Sequence, residues 1–99
     1  RQRSAEIRRE RKKATRELRD RLDDIEDDIA ETEERYDTLE EKLANPSTYD
    51  DADELGRLNR EFREVEEELE SLMERWGEKA AQLEEVESEF RKREEALRE

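Results

Sequence analysis

The chain has 99 residues, 56% of them charged and 29% apolar, with a net charge of −13, two glycines, one proline, and neither cysteine nor histidine. So little apolar surface excludes an ordinary enclosed core, because burying it falls short of the conformational entropy lost on ordering; the missing residue types exclude disulfides, thiolate metal sites and imidazole catalysis. Gly56 and Gly77 stand alone and form no phosphate-cradling loop, so neither enzymatic activity, a cofactor nor a bound metal is expected.

No apolar run approaches the ~20 residues needed to span a bilayer, and the opening RQRSAEIRRERKK lacks the apolar centre of a signal peptide. The expectation is a cytoplasmic protein with no membrane partner. What remains is a chain biased to Ala, Glu, Lys, Leu and Arg with a regular apolar period, which points to an all-α coiled coil rather than disorder.

The first helix is expected over about residues 4–44. Its basic opening, residues 1–21, holds ten Lys or Arg against four acids, net +6, while residues 22–99 hold eleven against thirty, net −19. Arg8, Arg9, Arg11, Lys12, Lys13, Arg16 and Arg19 are therefore candidate phosphate contacts, spread around the helix and able to supply charge but no reading of base edges. The competing reading pairs them with acids of the second helix such as Glu84, Glu85, Glu87 and Glu89. Downstream, Leu18, Leu22, Ile25, Ile29, Thr32, Tyr36, Leu39 and Leu43 alternate by four and three, one narrow stripe.

The run EKLANPSTYDD interrupts this pattern. Pro46 has no N–H to donate and drives Asn45 out of the helical region, so the first helix ends near Ala44. A turn is expected over residues 45–50, with Ser47, Thr48 or Asp50 capping the next helix and Asp50 and Asp51 at its positive end.

The second helix is expected over about residues 51–98. Leu55, Phe62, Leu69, Trp76, Leu83, Phe90 and Leu97 form an unbroken column at seven-residue spacing, accompanied by Leu58, Val65 and Leu72 until Lys79 breaks the second column. A short turn between two striped helices makes an antiparallel two-helix coiled-coil hairpin, a single unit over residues 1–99; one kinked helix in a parallel dimer is the alternative.

Matching layers pairs Leu39 with Leu55, Tyr36 with Leu58, Thr32 with Phe62, Ile29 with Val65, Ile25 with Leu69, Leu22 with Leu72 and Leu18 with Trp76; a slip of one heptad is the next choice. Thr15 then faces Lys79, where apolar matching ends. Leu83, Val86, Phe90 and Leu97 continue beyond that layer as a candidate docking stripe, for another domain or for self-association through the second helix. Glu17 with Arg21, Glu31 with Arg35 and Glu87 with Arg91 are spaced to pair along their helices. Trp76 belongs to the core column, and Tyr49 sits in the turn.

The run LEEKLANPSTYDDADELGRLNREFREVEEELESLMERW, Leu39 to Trp76, resembles the C-terminal coiled-coil domain of F-type ATP-binding cassette (ABC-F) ATPases, through Asn45, Pro46, Tyr49, Glu66, Glu68, Leu69, Arg75 and Trp76. The resemblance covers roughly residues 12–84. It implies a parent ATPase with its ATP-binding cassettes upstream in the same chain, and a non-catalytic accessory arm that contributes to ribosome or nucleic-acid binding during translation, with ribosomal RNA or DNA contacted through the basic base. The alternative is a structural spacer or oligomerisation segment of an unrelated cytoskeletal, chromosomal or phage protein.

Overall fold

The computed structural model describes residues 2–98, so Arg1 of the basic segment and Glu99 lie outside the described residues. Helix α1 runs Gln2–Ala44 and helix α2 runs Ala52–Arg98, joined by a 3₁₀ turn over Pro46–Asp50. There is no strand among the described residues, and the fold is an all-α helical hairpin. The chain divides into two compact units: residues 26–74, which carry the turn, and residues 1–25 with 75–99.

The turn ends α1 as the proline demands and then ties off the helix's last carbonyls. Asn45 has extended backbone, φ −78° and ψ 118°, and its Oδ1 accepts from the Ser47 N–H at 3.1 Å. The Lys42 carbonyl accepts from the Asn45 N–H at 3.3 Å and from the Thr48 hydroxyl at 2.6 Å, while the Tyr49 phenol donates to the Leu43 carbonyl at 3.0 Å. Tyr49 is otherwise 60% exposed, so its ring does not close the core. Helix ends leave several such groups unpaired, and here the turn's own side chains take them up.

The cap of α2 differs from the expected Ser47, Thr48 or Asp50. Asp51 Oδ1 accepts from the N–H groups of Asp53 and Glu54, at 3.1 and 3.2 Å, so α2 starts one residue later than expected, at Ala52.

In the unit of residues 26–74, Leu39, Leu58 and Val65 form the buried core, with Tyr36, Leu43, Phe62 and Leu69 packed against it. The Tyr36 and Phe62 rings lie 4.8 Å apart at 35°. This corrects the expected register, which set Tyr36 beside Leu58 and Thr32 beside Phe62. The reversal is centred farther toward the C-terminus than the expected pairing requires, so that Tyr36 meets Phe62 and Leu39 shares its cluster with Leu58.

Thr32 is buried to 3% exposure, and its hydroxyl donates to the Asp28 carbonyl one turn back at 2.7 Å. A threonine can occupy the seam because that bond satisfies its only polar side-chain group. Leu72 is buried, and Ile29 and Leu55 are half-buried. Arg35, expected to pair with Glu31, instead reaches across to Glu68 at 3.0 Å.

In the unit of residues 1–25 and 75–99, Ile7, Leu22 and Ile25 of α1 and Phe90 of α2 are buried. Thr15 is 3% exposed, its hydroxyl donating to the Arg11 carbonyl at 2.9 Å. Packing therefore does not stop at the Thr15 level: Phe90, expected to await an outside partner, is covered within the chain, with the Arg93 guanidinium 4.9 Å above its ring and Arg93 itself bonded to Glu10 at 2.6 Å. Leu18, Leu83 and Val86 are half-buried, and Leu97 is 39% exposed. Trp76 is also 39% exposed, which corrects its assignment to the core: large enough to satisfy the column pattern, it sits at the stripe's open edge.

Two outcomes test this fold. Asp51→Ala removes the cap of α2 and should cost about 1 kcal/mol in thermal denaturation, whereas Asp50→Ala should stay within ~0.5 kcal/mol.

The Tyr36 phenol is raised above its ordinary value by burial first, then by the negative charges of Glu40 and Glu66. The folded state thus favours the neutral phenol, a contribution fully present below the ordinary phenol pKa and lost as pH rises through the raised one. Melting temperatures followed between about pH 9 and pH 12 should fall less for Tyr36→Phe than for the parent; equal falls would remove Tyr36 as the cause.

Candidate nucleic-acid interface

The basic stretch of α1 is built from Arg, Lys, Ala and Glu, residues that lose little side-chain freedom in a helix, and α1 runs through it without a break. At 3.6 residues per turn, Arg8, Arg19, Lys12, Arg16, Arg9 and Lys13 fall in that angular order within an arc of about 140°. The candidates are thus not spread around the helix. They occupy one flank, beside the stripe carrying Ile7, Thr15 and Leu18.

Arg11 departs from the group, lying about 60° outside the arc on the stripe side. On the surface, Arg8, Arg11, Lys12, Arg16 and Arg19 line an open depression of about 450 Å³ together with Thr15 and Asp20. Asp20 marks the end of the basic flank.

The ion pairs divide these cations into two sets. Arg11 Nε lies 3.3 Å from Glu87 Oε2, and Arg19 Nη2 lies 2.5 Å from Glu87 Oε1. Arg11 Nη1 also approaches Glu94 Oε1 at 3.8 Å, an oxygen buried with no hydrogen-bond partner. Among the described residues no carboxylate pairs with Arg8, Arg9, Lys12, Lys13 or Arg16, and all five are exposed.

Glu87 was legible as one of several acids able to meet α1, but its spacing to Arg91 suggested a partner on its own helix. Arg91 bonds Glu84 instead, at 2.6 Å. The signal that identifies Glu87 is its place next to Val86 at the edge of the stripe, from which a carboxylate can reach the other helix. Glu94 and the Glu10–Arg93 pair carried no comparable mark in the sequence.

Charge separates the two units. Residues 26–74 hold twenty Asp or Glu and five Lys or Arg, net −15, while residues 1–25 with 75–99 hold fourteen and sixteen, net +2. Among the described residues no group of three or more Asp or Glu could hold a metal ion, and no helix is long and apolar enough to cross a membrane.

Residues 13–80 match the family model described as the ABC transporter C-terminal domain. The matched span takes in the turn and all of residues 26–74; Arg8, Arg9, Arg11 and Lys12 precede it. No curated protein and no solved structure matches the chain.

Proposed function

Since the chain belongs to the ABC transporter C-terminal domain family, and is an all-helical domain rather than a catalytic cassette, we propose that it is a cytoplasmic accessory arm of an ABC-F type ATPase that holds nucleic acid through phosphates. The family implies ATP-binding cassettes upstream as its partners in the parent protein. Ribosomal RNA during translation is the substrate class that fits this setting, with duplex DNA as the same backbone chemistry.

The observation that carries the reading is the set of five exposed cations on one flank of α1, Arg8, Arg9, Lys12, Lys13 and Arg16, left without carboxylate partners among the described residues of a chain with thirty-four acids. In a protein so acidic, five cations on one face with no carboxylate partner among the described residues are set toward an outside anion. They supply point charge and forked donors for phosphate oxygens, and nothing on that flank matches the paired amide geometry that reads base edges. Binding is therefore weak, indifferent to sequence and strongly weakened by salt.

Replacing Arg8, Arg9, Lys12 and Lys13 by Glu tests the proposal. With labelled RNA and DNA duplexes at about 50 mM salt, the parent should bind and the quadruple variant should not, with helicity unchanged in circular dichroism. Absent binding by the parent, or equal binding by the variant, would favour a purely structural spacer.

A further inference from the structure

We infer that Glu87 sets how many phosphates the basic flank of α1 can neutralise, by holding Arg11 and Arg19 away from a nucleic-acid backbone. The inference rests on the phosphate-binding reading above and deepens it.

One carboxylate serves two arginines here, one on each of its oxygens, at 3.3 and 2.5 Å. The Glu87 side chain is only 13% exposed, against 41% for Arg11 and 57% for Arg19. An acid so enclosed is fixed in place, and its contacts are less screened by salt than those of a surface pair. Phosphate must displace it to recruit either arginine, whereas among the described residues no carboxylate has to be displaced from Arg8, Arg9, Lys12, Lys13 or Arg16.

The position of Arg19 makes its release consequential. By angle it lies between Arg8 and Lys12 on the same flank, and it extends that flank about 4.5 Å beyond Arg16 along the axis. Arg11 sits off the arc and retains Glu94 at 3.8 Å as a second partner. Loss of the Glu87 charge therefore frees Arg19 fully and Arg11 in part.

The test uses a labelled DNA duplex titrated across a range of salt with the parent, Glu87→Gln, Arg11→Gln/Arg19→Gln, and the triple variant combining them. Glu87→Gln should bind more tightly, and its log–log salt slope should steepen by about 0.9 for each arginine released. The triple variant should keep the parent's slope, since the parent does not use those side chains; the double arginine variant should keep that slope too, with its affinity lowered by repulsion from the uncompensated Glu87 carboxylate. The double variant also carries the test if Glu87→Gln loses helicity, because a salt slope shallower than the parent's by about 0.9 or more would place Arg11 or Arg19 in the parent's footprint and overturn the inference.

Duplex binding by the parent that Glu87→Gln leaves unchanged would remove the role of Glu87 while the phosphate reading stands. Binding by Glu87→Gln alone would overturn both, since the parent's flank would then neutralise no phosphate for Glu87 to limit. Binding by neither overturns both.

Discussion

Every feature of this hairpin follows from the narrowness of its apolar stripes. Each helix carries one line of large side chains in a field of charge, and such a line cannot be hidden by the helix that bears it. Burial has to come from the other helix, and within residues 26–74 it does: Val65 reaches 0% and Leu58 1% exposure in a chain that is otherwise almost all surface. Side chains buried to that degree contribute about 1.5–3 kcal/mol apiece, enough to decide between a folded pair and a charged coil. The seam even admits threonines, because Thr15 and Thr32 satisfy their hydroxyls on their own helix.

Reversal of the chain sets which charges meet. Arginines of α1 near its start come against the far part of α2, so that Glu10 finds Arg93 and Glu87 finds Arg11 and Arg19. These contacts flank the stripe and sit where cross-helix reach is short. Among the described residues no carboxylate pairs with Arg8, Arg9, Lys12, Lys13 or Arg16, and the functional reading stands on those five. Reach to Glu87, rather than angle alone, divides the cluster, since Arg19 lies between Arg8 and Lys12 by angle and is nevertheless paired.

Much of this was legible in the residues. Pro46 after Asn45 located the end of α1, since a proline removes a donor and bars the preceding residue from helix; the seven-residue columns of α2 named Leu58, Val65 and Leu72 because burial of a coiled-coil seam leaves that period in any sequence. Register was not legible, because both columns of α2 are apolar and either can face Tyr36. Trp76 misled for a related reason, as a column position states which side of the helix a residue occupies and not how closely the partner helix approaches there.

On the site, composition located the basic stretch but not its division, since pairing depends on cross-helix distances that spacing along one helix does not encode. Glu31–Arg35 and Glu87–Arg91 had the right spacing, yet both arginines bond elsewhere, Arg35 to Glu68 and Arg91 to Glu84. An exposed pair along one helix is worth only a few tenths of a kcal/mol, too little to hold a side chain when another acid stands within reach.

The most direct measurement of the account is a nuclear Overhauser contact between the Tyr36 and Phe62 rings, recorded on a mixture of isotope-labelled and unlabelled chains so that contacts within one chain are told from contacts between two. Self-burial in this register, with the rings 4.8 Å apart, predicts a strong Tyr36–Phe62 contact within single chains and none between labelled and unlabelled ones. A contact seen only between chains, or one that joins Phe62 to Thr32 in place of Tyr36, would contradict it.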